Sequence, residues 1–88
     1  MASSFLTAVA AVTRAIEEGV QAVTTVSIDT SDSSALFSAD YDVLAQELRV
    51  QFRRRRRKLY VYPMGPVDAN RFANARSKGR FLATLSAL

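Results

Sequence analysis

The chain has no cysteine and no histidine. Without cysteine there is no disulfide framework and no thiol nucleophile, and a reducing cytoplasm is the compartment that fits. Without histidine the commonest general base is gone, and the two absences together exclude a Cys/His zinc site and a Ser-His-Asp triad. The carboxylates do not replace them. Glu17 and Glu18 are neighbours on a predicted helix and diverge by about 100°, and Asp40 and Asp42 share a strand face beside a turn that accounts for both. No glycine-rich loop is present to cradle a phosphate, so the expectation is no enzyme, no metal and no cofactor.

Glycine (3) and proline (2) are scarce while 49% of the residues are hydrophobic, which argues for a folded domain over a disordered or collagen-like chain. Eighty-eight residues make one domain with a single modest core. No apolar run is long enough to cross a membrane. The N-terminal apolar segment has no basic residue before it and is broken by Arg14, Glu17 and Glu18, so it does not read as a secretory signal, and its acids disfavour anionic lipid. No membrane partner is expected.

Cations are almost missing from the first half of the chain. Up to Leu48, Arg14 stands alone against seven acids; from Arg49 onward eleven Lys and Arg residues face Asp68 alone. An asymmetry of this size points to an acidic partner for the second half, most often nucleic acid, or to pairing between halves or protomers. Its centre is Arg53-Arg54-Arg55-Arg56-Arg57-Lys58. Leu48, Val50 and Phe52 alternate with Arg49 and Gln51 before it, the period-2 pattern of a half-buried strand. That strand must stop at Phe52, because continuing would bury guanidinium groups. With no Gly, Asn or Asp to specify a tight turn, the cations are expected as a longer, mobile loop at the tip of a β-hairpin.

Ser3 or Ser4 caps a predicted helix whose stripe is Phe5, Val9, Val12, Ile16, Val20 and Val23, with Thr7, Arg14, Glu18 and Gln21 opposite and Gly19 as a weak point inside it. The stripe must dock on a sheet, another helix or a second copy, so a homo-oligomer through this helix is an open alternative. Residues 24–29 alternate and are expected as a short strand outside the meander, and 30–34 form a polar connector. Strands are expected at 35–41, 48–52 and 59–62, with a turn at 42–47. Pro66 then opens a helix that turns Ala69, Phe72, Ala73 and Ala75 inward. Gly79 is expected as its left-handed stop, and Phe81, Leu85 and Leu88 as a final short helical segment.

Ser33-Ser34, Tyr41-Asp42, Leu48-x-Val50-x-Phe52, Tyr60-x-Tyr62 and Ala75-x-Ser77-Lys78-Gly79-Arg80-Phe81, in this order, resemble the KTSC domain, a small module at the C-terminus of some lysyl-tRNA synthetases and in stand-alone bacterial and phage proteins. The resemblance covers about the last two-thirds of the chain and implies a β-β-β-α unit, residues 31–88, with residues 1–30 as helix and connector outside the family pattern. It also carries a suggestion of RNA binding. The chain departs from the family where its arginine run replaces a short glycine-containing turn.

The fold expected is α+β: an N-terminal amphipathic helix, a three-stranded antiparallel meander and a C-terminal helix. The function expected is binding of nucleic acid, RNA or single strands favoured, through Arg53, Arg54, Arg55, Arg56, Arg57 and Lys58. Arg49 and, after the helix, Arg71, Arg76, Lys78 and Arg80 are candidates to widen the patch. Tyr60 and Tyr62 share a strand face and are either a stacking platform for unpaired bases or core under the N-terminal helix. The alternatives for the arginines are a basic loop that serves solubility and a protein-interaction or assembly module whose tip meets an acidic surface.

Overall fold

The computed structural model describes residues 4–19, 24–85 and 87. Helix α1 (Ser4–Glu17) forms on the predicted stripe. Phe5 and Val9 are buried and Val12 and Ile16 half-buried, whereas Thr7, Arg14 and Glu18 are exposed. Ser3, Val20, Gln21 and Val23 lie outside the described residues. Gly19 is not inside the helix. It follows the last turn with φ +78°, and its amide donates to the Ile16 carbonyl (3.1 Å), a left-handed stop that glycine adopts without a Cβ penalty.

Among the described residues the sheet has four strands, not three: β1 (Thr25–Ser27), β2 (Leu36–Asp42), β3 (Glu47–Phe52) and β4 (Arg55–Pro63), antiparallel in the order β1-β2-β3-β4. The extra strand is the alternating segment after α1. It pairs with the end of β2, placing Val26 opposite Tyr41 on the buried face. The described residues form three helices, not two: α1 before the sheet, and α2 (Pro66–Ala73) and α3 (Lys78–Ala83) after it.

All three helices lie on one face of the sheet. Strand alternation sends Val26, Leu36, Ala39, Tyr41, Leu48, Val50 and Tyr62 to that face, where Phe5, Val9, Ala69, Phe72 and Leu82 meet them. Tyr41 is fully buried, with the edge of its ring against Phe5 at 5.8 Å and its hydroxyl donating to the Met64 carbonyl at 3.0 Å, so its polar end is satisfied. The opposite face carries Ser27, Ser38, Asp40, Arg49 and Gln51, none of them fully buried.

Helix α2 opens with Pro66 in its first turn and buries Ala69 and Phe72, as the spacing predicts. Gly79 is the second residue of α3, not a left-handed stop. A Cβ there would come within 3.1 Å of the Ala35 Cβ, so the residue serves the close approach of α3 to the start of β2. The segment is anchored by Leu82, with Phe81 half-buried and Leu85 exposed; Leu88 is outside the described residues.

Because Val9 is enclosed within the protomer, Val9→Asp should cost several kcal/mol, comparable to the whole stability of a small domain, and abolish a cooperative thermal melt. Leu6→Asp, on the exposed side of the same helix, should melt close to wild type. Equal melting of the two variants would show that α1 is not packed on the sheet.

Candidate nucleic-acid interface

The arginine run is not a loop. Phe52 pairs with Arg55, leaving Arg53 and Arg54 as a two-residue turn, and Arg55, Arg56, Arg57 and Lys58 belong to β4. The tight turn forms without a residue of positive φ; among the described residues those are Gly19 and Gln46. The register is absorbed elsewhere. Between the Val50–Tyr60 and Phe52–Arg55 pairs, β3 advances two residues while β4 spans five, so three extra residues bulge from β4. This hairpin end reaches past the helical layer, and Arg53 through Leu59 are all exposed. With solvent on both sides, alternation carries no burial cost for a cation.

A polar relay holds the bulge. Ser38 Oγ donates to Gln51 Oε1 (2.7 Å), and Gln51 Nε2 donates to the Arg56 carbonyl (2.6 Å). A second register shift, at Phe37 in β2, leaves that ring exposed, and the Arg56 guanidinium lies 4.7 Å from its centre. Arg53 is tied back through its backbone amide to the Ala35 carbonyl (2.9 Å) and through Nε to the Ser33 carbonyl (3.1 Å). Ser33 Oγ in turn accepts from the amides of Ala35 and Leu36, fixing the loop that meets the hairpin.

The two tyrosines have different positions. Tyr62 is 6% exposed and belongs to the core, and burial pushes its phenol pKa up. Tyr60 is half-buried near the hairpin, its ring perpendicular (85°) to that of Phe52 at 5.1 Å, with the Lys58 ammonium 5.0 Å from its centre. Around them opens a cleft of about 590 Å³, lined by Phe52, Tyr60 and Tyr62, by Arg54 and Arg55, and by Ser34 and Ala35. Sequence alternation assigned Phe52 to the core and did not single out Ser34 or Ala35. The signal for Phe52 was its place at the strand end, beside residues that had to leave the core.

Arg49 is not beside the rings. It pairs with Val61 on the opposite face of the sheet, where it makes 3.0 Å ion pairs with both Glu47 and Asp42. The Glu47 hydrogen bond is the main influence that raises its pKa. Arg71 lies 4.0 Å from Asp68 on α2. Arg76 and Lys78 line a smaller groove of about 220 Å³ that shares Ser34 and Ala35 with the cleft; Asp32 is in it too, and Arg80 lines neither. Among the described residues no carboxylate pairs with Arg53, Arg54, Arg55, Arg56, Arg57 or Lys58. No helix among them is long and apolar enough to cross a membrane.

Residues 32–85, which hold β2 to β4, α2, α3 and every residue of the cleft, match the family model described as KTSC domain. No curated protein and no solved structure matches the chain.

The different burial of the two rings predicts opposite consequences of truncation. Tyr62→Ala should open a core cavity and cost about 3–5 kcal/mol of stability in denaturant unfolding. Tyr60→Ala, with one side of its ring already open, should cost well under half as much. Equal losses would show that the cleft is closed in solution.

Proposed function

This chain belongs to the KTSC domain family, and within that fold we propose that it is a nucleic-acid-binding module that engages RNA or single strands through the hairpin of Arg53 to Lys58. The observation that carries the reading is the uncompensated charge of that hairpin. Elsewhere cations do meet acids: Arg49 pairs with Asp42 and Glu47, and Arg71 lies 4.0 Å from Asp68. The six hairpin cations have no such partner among the described residues. Like charges held this close repel one another, and a polyanion relieves the repulsion while releasing its own counterions. Guanidinium groups suit the task, since each offers a fork of donors matched to phosphate oxygens. The preference for single strands follows from Phe52 and Tyr60 adjoining the cations, because aromatic rings reward unpaired bases.

Converting Arg53 through Arg57 to serine should leave melting near wild type, since none of these side chains enters the core. Binding to oligouridine, followed by fluorescence anisotropy across a salt series, should weaken sharply. For about four phosphate contacts by the wild type, log K should fall against log salt with a slope near −3 on a single strand, and the variant's slope should flatten toward zero. Unchanged affinity and slope in the variant would remove the reading.

A further inference from the structure

The cleft beside the hairpin has the form of a site and not only of a surface. Its volume, about 590 Å³, lies within the roughly 300–1,000 Å³ typical of small-molecule pockets. Its lining combines aromatic rings with two arginines, and no acid is among the residues that form it. The rings are set at 85° to each other, so a flat aromatic ring laid parallel to one meets the other edge-on, and both favoured aromatic geometries are met at once. One face of Tyr60 is open enough that the Lys58 ammonium lies over it. A stacked ring would take that place and leave the ammonium free for an adjacent anion.

We infer that this cleft holds one unpaired nucleobase of a bound single strand, stacked on Tyr60 or Phe52, with the flanking phosphates on Arg54 and Arg55. The inference rests on the nucleic-acid reading and adds to it the basis of selectivity. A base inside a duplex has both faces covered by its neighbours and its edge engaged, so it reaches the rings only by leaving the stack. The hairpin cations attract either kind of backbone, while the cleft rewards only an unpaired strand. The charge and the rings come from one short stretch because the two-residue turn folds Arg54 and Arg55 back beside Phe52.

The experiment compares three forms of the full chain: wild type, Tyr60→Leu, which keeps apolar bulk without a π-face, and Ser34→Phe, which enlarges an exposed residue in the cleft lining. Each is titrated at fixed low salt with labelled decauridine, a labelled RNA duplex of the same length, and labelled polyglutamate. Wild type should prefer the single strand. Both variants should lose about 5- to 150-fold of single-strand affinity, the equivalent of one stacked base, and keep their affinity for the duplex. Should Tyr60→Leu melt early, Ser34→Phe tests the site alone, since that residue lies outside the core. Variants that retain single-strand affinity, or a wild type that binds the duplex equally well, would overturn the base site and leave the hairpin reading standing. Failure of wild type to bind either RNA, with capture of polyglutamate instead, would overturn both.

Discussion

The structure turns on one constraint: six consecutive cations follow Phe52, and none of them can be taken out of water without a partner. The chain meets this by pushing the hairpin beyond the helices, so that Arg55 to Lys58 keep extended backbone with solvent on both faces. The register that the run would disturb is taken up by a bulge, and Gln51 bridges it by accepting from Ser38 and donating to the Arg56 carbonyl. Pairing between Tyr60 and Val50 is therefore normal two residues past the last cation. The half-open ring of Tyr60 results from the same constraint, because it sits where the helical cover ends and the hairpin begins.

Charge is sorted across the sheet in a related way. The acidic first half supplies Asp42 and the strand end supplies Glu47; together they hold Arg49 on the face opposite the cleft. Asp42 also accepts from the Ala45 amide and so shapes the turn that contains Gln46 at φ 53°. Of these pairs the half-exposed one with Glu47 contributes modestly to stability, on the order of 0–1 kcal/mol, while Asp42 itself is buried. Their larger effect is on location, since two acids against one cation leave that face negative and confine the positive potential to the hairpin.

Much of this was readable in the sequence. The stripe of α1, the alternation of β3 and the proline start of α2 all follow from local periodicity and local backbone chemistry, which burial then reinforces. The two glycines exchanged their expected roles. Gly19 sits at the end of an apolar stripe that continues past it in sequence, so periodicity hides the stop; Gly79 is required by a contact with Ala35, more than forty positions away, which no local pattern reveals. Strand β1 was legible as a short alternating stretch, but its pairing with β2, which makes it part of the sheet, is a tertiary fact. The arginines were excluded from strand by an argument that assumed a covered face. That assumption fails at an edge strand overhanging its helices. For the site, the charge was fully legible and the cleft was not, because Ser34 and Ala35 reach it only through the folding of a polar loop onto the hairpin.

The most direct test of the central claim is a residue-resolved map of nucleic-acid contact: amide and aromatic NMR shifts of the isotope-labelled chain as decauridine is added. The account predicts shifts concentrated from Phe52 to Tyr60 and at Ser34 and Ala35, with the Tyr60 ring among the largest and α1 and Arg49 almost silent. Shifts centred on α1 or on the outer face of the sheet around Asp40 and Arg49, or no shifts at saturating RNA, would contradict it.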